Sequence, residues 1–377
     1  MNKVYLDNAA TTPIAPEVID VMQLSMQENF GNPSSTHQFG RKAKNIVENA
    51  RKTIAKTFNI SAAEIIFTSG GTEADNLILY NAITNLGVKR IITSKIEHHA
   101  VLHTVEFLQK KYAIEVEYVQ VNSNGDISID HLEELLKNSK EKTLVSLMYI
   151  NNEIGNILPL EKVCELCATY DALFHSDTVQ AIGHYSIDLQ KIPVDFIVAS
   201  AHKFHGPKGV GFAYFKKGFG IQPMLHGGDQ EKGARSSTEN VHSILGMEKA
   251  LEIASSSLEN DKEYMNSLKL FFIDELVKLN SEVKFNGQSS IIENSSCTIL
   301  NVMLPVTNEM LLFSLDLNGI AVSGGSACQS GSNRGSHVLS EILKEEDENL
   351  TSIRFSFSRN TTKEELNYTL QKIKELL

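Results

Sequence analysis

The chain of 377 residues carries 35 basic against 46 acidic side chains, a formal charge of −11, with 42% hydrophobic and 21% charged residues. These totals describe a globular protein large enough for two domains and exclude a low-complexity or disordered chain. The acidic balance argues against a general nucleic-acid-binding surface, and no apolar run approaches the length of a membrane span.

The opening stretch MNKVYLDNAATTPIAPEV has no run apolar enough for a signal peptide, so a cytoplasmic location is expected. Four cysteines, at 164, 167, 297 and 328, do not make a disulfide framework in a chain this long. From about residue 60 to 215, short β-forming runs alternate with segments of helical period. Strands are expected at 64–69, 90–94, 115–121, 143–150, 172–177, 195–200 and 209–215. This alternation predicts βα units around a mostly parallel seven-stranded sheet, one large α/β domain. Within it, Cys164 and Cys167 form a CxxC inside the helical pattern LEKVCELCATY; without a second pair they read as helix-core thiols rather than a metal or redox site. A Gly-rich segment (225–240) and a long helical stretch (241–279) follow. The mixed pattern beyond them predicts a smaller α+β domain, on which the opening residues pack. The expected division is 15–260 for the large domain, with 1–14 and 261–377 forming the small one.

Three strand ends carry chemistry. In DFIVASAHKFHGPKGVG a buried strand ends at Ser200, then His202 and Lys203, where open α/β sheets place their ligands. FHSDTVQA puts Asp177 and Gln180 at the end of another strand. TSGGTEADN puts Gly70, Gly71 and Thr72 at a strand-to-helix turn, whose free N–H groups and helix dipole favour a phosphate. That turn fits neither a P-loop nor G-x-G-x-x-G. A phosphate cradle, an imine-forming lysine and an acid for a ring nitrogen are together the three anchors of pyridoxal 5'-phosphate. Near the C-terminus, VSGGSACQSGSNRG sets Cys328 among glycines and serines, in what reads as an exposed, mobile loop. Taken alone, the loop leaves open a small residue in a turn or a thiol that must travel.

Read in order, YLDNAATTP, NFGNPSSTHQFGR, FTSGGTEADN, EHHAV, NNEIG, HSDTVQA, SAHKFHGPKGVG, HGGDQEKGARSSTEN, SGGSACQSGS and SIRFSFSRNTT resemble the class V aminotransferase family. More narrowly, they resemble its cysteine desulfurases of the NifS and IscS type. The resemblance runs from residue 4 to about 370 and implies the aspartate aminotransferase-like fold of pyridoxal phosphate-dependent transferases.

It further implies that Lys203 holds the cofactor as an internal aldimine and moves protons on the substrate. Gly71, Thr72, Ser200 and His202 would surround the phosphate, and Thr238 would reach it from a neighbouring subunit, making the active form a homodimer. Asp177 would keep the pyridinium protonated, Gln180 and Asn152 would bond the phenolic oxygen or the substrate, and His98 would stack on the ring beside a bystander His99. Arg354 would clamp the substrate carboxylate, with Arg359 as its rival. Cys328 would take sulfur from L-cysteine as a persulfide, release L-alanine and pass the sulfur to an acceptor, an iron–sulfur scaffold or a tRNA thiolation enzyme. No metal is implied in the resting enzyme, though Cys328 could transiently ligate an iron–sulfur cluster.

The cysteine loop resembles the long loop of the NifS/IscS group and lacks the RxGHHCA pattern of the SufS group. Asn333, Arg334 and Gly335 replace the usual Leu-Glu-Pro, and the chain stops soon after LQKIKELL; both bear on partner docking. The competing readings are another enzyme with this cofactor, such as an aminotransferase or selenocysteine lyase, a silent scaffold protein, and a metal-dependent hydrolase. The last would use the pairs His99/His103 and His202/His205, with His175 and Asp177 on one strand, but H-E-x-x-H is missing.

Overall fold

The computed structural model describes residues 3–138, 141–308, 310–324 and 335–377. The chain opens with β1 (Val4–Tyr5) and two helices, α1 (Pro16–Glu28) and α2 (Gln38–Thr57). Then come β2 (Ile65–Thr68), α3 (Gly71–Thr84), β3 (Arg90–Thr93), α4 (His99–Tyr112), β4 (Glu115–Tyr118) and α5 (Ile129–Lys137). β5 (Thr143–Ser146), α6 (Leu160–Thr169), β6 (Leu173–Asp177), β7 (Phe196–Ser200) and β8 (Gly211–Phe215) complete the large domain's sheet. Its seven strands run in the order β2-β8-β7-β6-β5-β3-β4 and are the seven expected from sequence. β8 lies antiparallel to both neighbours; the other adjacent pairs are parallel. The inner strands are buried along their whole length, as a sheet covered on both faces requires.

The strand order creates the binding crevice. After β3 the chain crosses outward to β4, whereas after β5 it crosses the other way to β6. The loops leaving β3 and β5 therefore diverge, and a crevice opens at the C-terminal ends of the strands. The expected strand 143–150 overshoots the ladder's end at Ser146, although Leu147 N and Tyr149 N still donate to His175 O and Asp177 O at 3.1 and 2.9 Å. Cys164 and Cys167 face the core from α6, where burial pushes the Cys164 thiol up to about 12 and Cys167 up as well.

The 39-residue helix α7 (Val241–Leu279) links the two bodies. Its buried positions 244, 247 and 251 keep helical period and join the large core, while Leu268, Phe272 and Leu276 join a separate small-domain core. The small domain contains β9 (Lys284–Phe285), β10 (Ile299–Met303), α8 (Leu311–Leu317), β11 (Ile320–Ala321), α9 (His337–Ile342), β12 (Ser352–Ser356) and α10 (Lys363–Leu376). β12, β10 and β9 form an antiparallel sheet, and β1 pairs in parallel with β11, so the opening residues do pack on the small domain.

Candidate active site

A cavity of about 220 Å³ lies at the strand ends, where the opening residues and the small domain close over the large sheet. Gly71, Thr72, His98, Asn152, Asp177 and Gln180 line it, with Ser200, His202, Lys203 and Arg354. A broader opening of about 600 Å³ beside it shares Met148 with this cavity, but its lining has neither a lysine nor an arginine and none of the expected site residues.

Each group is placed by the end of an element. β7 finishes at Ser200, and a single 3₁₀ turn, Ala201–Lys203, swings Lys203 over the cavity. Its Nζ donates to the carbonyls of Ala9 and Ala10 at 2.6 and 2.9 Å. β6 finishes at Asp177, whose Oδ1 accepts from Val179 N at 2.9 Å. Burial raises that carboxyl, while His98, the Val179 amide and Lys203 pull the other way. Gln180 Nε2 donates to Ala9 O at 3.0 Å, which fixes the amide beside Asp177. His98 is the N-cap of α4 and accepts from Ala100 N through Nδ1 at 3.1 Å; burial lowers its pKa, favouring a neutral ring. His202 Nδ1 lies 3.1 Å from Thr11 Oγ1, and burial brings that imidazole down to about 4.

The first turn of α3 is the anion cradle. Its N-cap is Gly70, at φ 155°, with no side chain to cap the free N–H groups. Closeness is built in at the next residue: a Cβ on Gly71 would meet Val179 Cγ2 at 2.7 Å.

Arg354 sits on β12, 2% exposed, and donates to Asn152 O and Asp7 Oδ1, both at 2.8 Å; its Nε has no hydrogen-bond partner among the described residues. Ser323 Oγ donates to the same Asp7 oxygen at 2.8 Å, and the Ser323 and Arg354 backbones exchange hydrogen bonds. The chain thus enters segment 325–334 beside Arg354. It leaves that segment beside the site as well, with Ser336 Oγ bonded to Glu153 Oε2 and His337 Nε2 2.9 Å from Glu97 O. Cys328, Asn333 and Arg334 lie outside the described residues.

Some expected groups are elsewhere. Thr238 is exposed and does not line the cavity of its own chain. Arg359 faces Asp261 at 4.0 Å in a separate pocket with His184 and His205, so only Arg354 of the two arginines reaches the cavity. His99 stacks between His103 and His337, at ring-centroid distances of 4.8 and 4.4 Å. Among the described residues no three His, Cys, Asp or Glu are grouped to hold a metal ion, and His205 turns from His202 to Pro13 O. Asp7, Ala9, Ala10, Asp75 and Glu97 also shape the site. All fall inside the motifs YLDNAATTP, FTSGGTEADN and EHHAV, whose spacing was the available signal.

A lysine, a carboxylate, an uncapped helix N-terminus and a buried arginine are gathered at the strand ends of a mixed seven-stranded sheet, a donor set suited to an anionic ligand in an α/β protein. Residues 4–369 match the family model described as aminotransferase class-V. The IscS cysteine desulfurase of Dictyoglomus turgidum is 44% identical over 378 residues, covering all of this chain and 94% of the relative. A solved NifS-like protein superposes with a TM-score of 0.91 at 37% identity, covering 100% of this chain and 99% of that one. A structure described as SspA in complex with cysteine has a TM-score of 0.81 at 32% identity, with 96% and 100% covered. The chain belongs to the class V aminotransferases, and within them to the cysteine desulfurases of the NifS/IscS type.

Proposed function

We propose that the chain takes sulfur from L-cysteine with pyridoxal 5'-phosphate held in the 220 Å³ cavity, leaving L-alanine and a persulfide on Cys328. The carrying observation is that Lys203, Asp177, the α3 N-terminus and Arg354 converge on one cavity from four separate elements. The donor set suits the cofactor: backbone N–H groups of Gly71 and Thr72 with Ser200 and His202 for the phosphate, Asp177 for the ring nitrogen, Gln180 and Asn152 for the phenolic oxygen. A cationic ring nitrogen against Asp177 would reverse the upward push of burial and hold the carboxylate ionised. Once bound, the cofactor supplies an electron sink for the substrate's α-carbon.

The chain's own residues do the rest. Lys203 would hold the cofactor and would carry protons to and from the substrate carbon. His98 presents a neutral face to the ring, and Arg354 holds the substrate carboxylate. Cys328 attacks the substrate sulfur; an S–S bond forms as the C–S bond breaks, and the carbon skeleton takes the electron pair and a proton to leave as alanine. Cys328 follows Ser323 by five residues, a reach of about 17 Å at most, from an anchor that already touches Asp7 and Arg354.

A homodimer completes this reading. Phe30 and Phe39, 70% and 53% exposed, stack at 5.2 Å, and Ser34 bonds Gln230 of the segment carrying Thr238. An apolar patch beside an exposed Thr238 suits a second copy that inserts this residue into its neighbour's phosphate site. The boundary between domains falls near residue 260, midway along α7, where buried positions are sparse. An iron–sulfur scaffold or thiolation enzyme receives the sulfur, and a reducing compartment such as the cytoplasm keeps the thiols free.

The test is the absorption spectrum of the purified protein, followed by L-cysteine with assays for alanine and for persulfide. Cofactor colour, alanine and a persulfide on Cys328 are expected. In Cys328→Ala the colour should remain while sulfur release falls by at least about 100-fold; release at the parent rate would remove Cys328 from the mechanism.

A further inference from the structure

Asp75 has no part in the roles assigned above, yet it lines the same cavity as Asp177 and is 1% exposed. Its Oδ1 stands 3.3 Å from His175 Nε2, and His175 Nδ1 stands 2.9 Å from Ser146 Oγ. The backbone explains the alignment. His175 and Asp177 are two residues apart on β6 and share a face, while Ser146 is the registered partner of His175 on β5. The trio has the composition of a hydrolytic triad, but Ser146 and His175 are both 0% exposed, so no substrate reaches the hydroxyl.

Asp75 Oδ1 and His175 Nε2 have no other hydrogen-bond partner among the described residues, so one proton between them satisfies both. Two arrangements supply it. In one, an Asp75 carboxylate accepts from Nε2–H, and the Ser146 hydroxyl donates to Nδ1. In the other, the Asp75 acid donates to Nε2, and Nδ1–H donates to Ser146. The hydrogen bonds between the three are equal in number; the second arrangement takes the Ser146 O–H off His175 but buries no charge, and the buried charge is the larger cost. The first arrangement buries a second carboxylate next to Asp177, with Glu97 also near, and His175 is the only ion-pair partner Asp75 has among the described residues. Such a charge, buried beside a second carboxylate, is strongly disfavoured. Lys203, a cation of this cavity, acts on Asp177. Burial first, then Asp177 and Glu97, lift the Asp75 carboxyl well above its ordinary range, and burial takes the His175 imidazole down to about 3.

We propose that Asp75 is a positioning residue that keeps its proton and donates it to His175 Nε2, leaving Asp177 free to carry the negative charge that meets the cofactor's ring nitrogen. Two buried carboxylates on one wall would otherwise compete for ionisation, and the pair would share its charge instead of concentrating it on Asp177. This role rests on the cofactor reading above; the protonation of Asp75 does not.

The experiment is infrared spectroscopy of the apoprotein at pH 7, with and without ¹³C in the aspartate carboxyl groups, beside dissociation constants for pyridoxal 5'-phosphate. A protonated-carboxyl C=O band is expected that shifts with the label, persists when the cofactor binds, and vanishes in Asp75→Asn. Cofactor affinity should fall about tenfold or more in Asp75→Ala but stay within about threefold in Asp75→Asn, whose amide N–H replaces the lost donor. The absence of a labelled band at pH 7 in the parent would overturn the protonation, and this reading needs no variant to fold. Equal loss of affinity in the Asn and Ala variants would overturn the positioning role. Were the parent not to bind the cofactor at all, the role would fall with the cofactor reading, while the labelled band would still decide where the proton sits.

Discussion

Glu97 precedes the cavity histidine His98, and its Oε1 accepts from the Ser94 hydroxyl and the Met148 amide at 2.9 and 3.0 Å. Burial overrides both hydrogen bonds and pushes the carboxyl up to about 8 from an ordinary 4.5. The folded chain therefore holds this proton where the unfolded chain releases it. The resulting stability is complete below pH 4.5 and is lost as pH rises toward 8. Thermal melts from pH 5 to 8 should show the parent losing Tm relative to Glu97→Gln, which has no proton to lose; parallel curves would contradict the burial argument. Arg354 yields a second prediction. Arg354→Lys gives up the planar fork that spans Asp7 and Asn152, so KM for L-cysteine should rise about 10- to 100-fold, while Arg359→Ala should leave KM near the parent value. A reversed result would move the carboxylate clamp. Sequence motifs made Lys203 and Asp177 legible because strand ends are local signals, whereas Arg354 was named only through the family resemblance. Asp7 falls inside the motif YLDNAATTP, but its role is set by Arg354, 347 residues away.

At the scale of elements, the junction of β2 and α3 is the tightest part of the site. The Gly71 position leaves no room for a side chain against Val179, itself held by the Asp177 carboxylate. Gly71→Ala should cost about 1–3 kcal/mol of stability and weaken cofactor binding, and adding Val179→Ala should recover part of both. Denaturant melts of the two single variants and the double variant measure this coupling; strict additivity would place the strain elsewhere. The seven strands and α7 were visible beforehand through their period-2 and period-3.6 patterns and their turn residues. The strand ends were blurred, because 147–150 reads as strand while the structure also uses Met148 and Ile150 to line the cavity. Apolar pattern records burial and is blind to whether the neighbour is a strand or a ligand.

For the whole molecule, the proposed dimer makes the phosphate site a shared property. Replacing Phe39 with Glu puts a charge into the exposed Phe30–Phe39 stack and should leave a folded monomer whose cofactor affinity is lower by about tenfold, the loss of one hydrogen bond to a charged group. Sedimentation and cofactor titration would check it; a monomer with parent affinity would show that Thr238 is not needed across the interface. Sequence by itself determined the α/β class, the seven-strand count and the placing of Lys203 and Asp177 at strand ends, because local periodicity and short motifs encode them. Only the tertiary structure decided between Arg354 and Arg359, brought the Ala9 and Ala10 carbonyls onto Lys203 and set Asp75 against His175. Those outcomes depend on distances between remote residues and on the burial that moves a proton, and neither quantity is written in any single stretch of the chain.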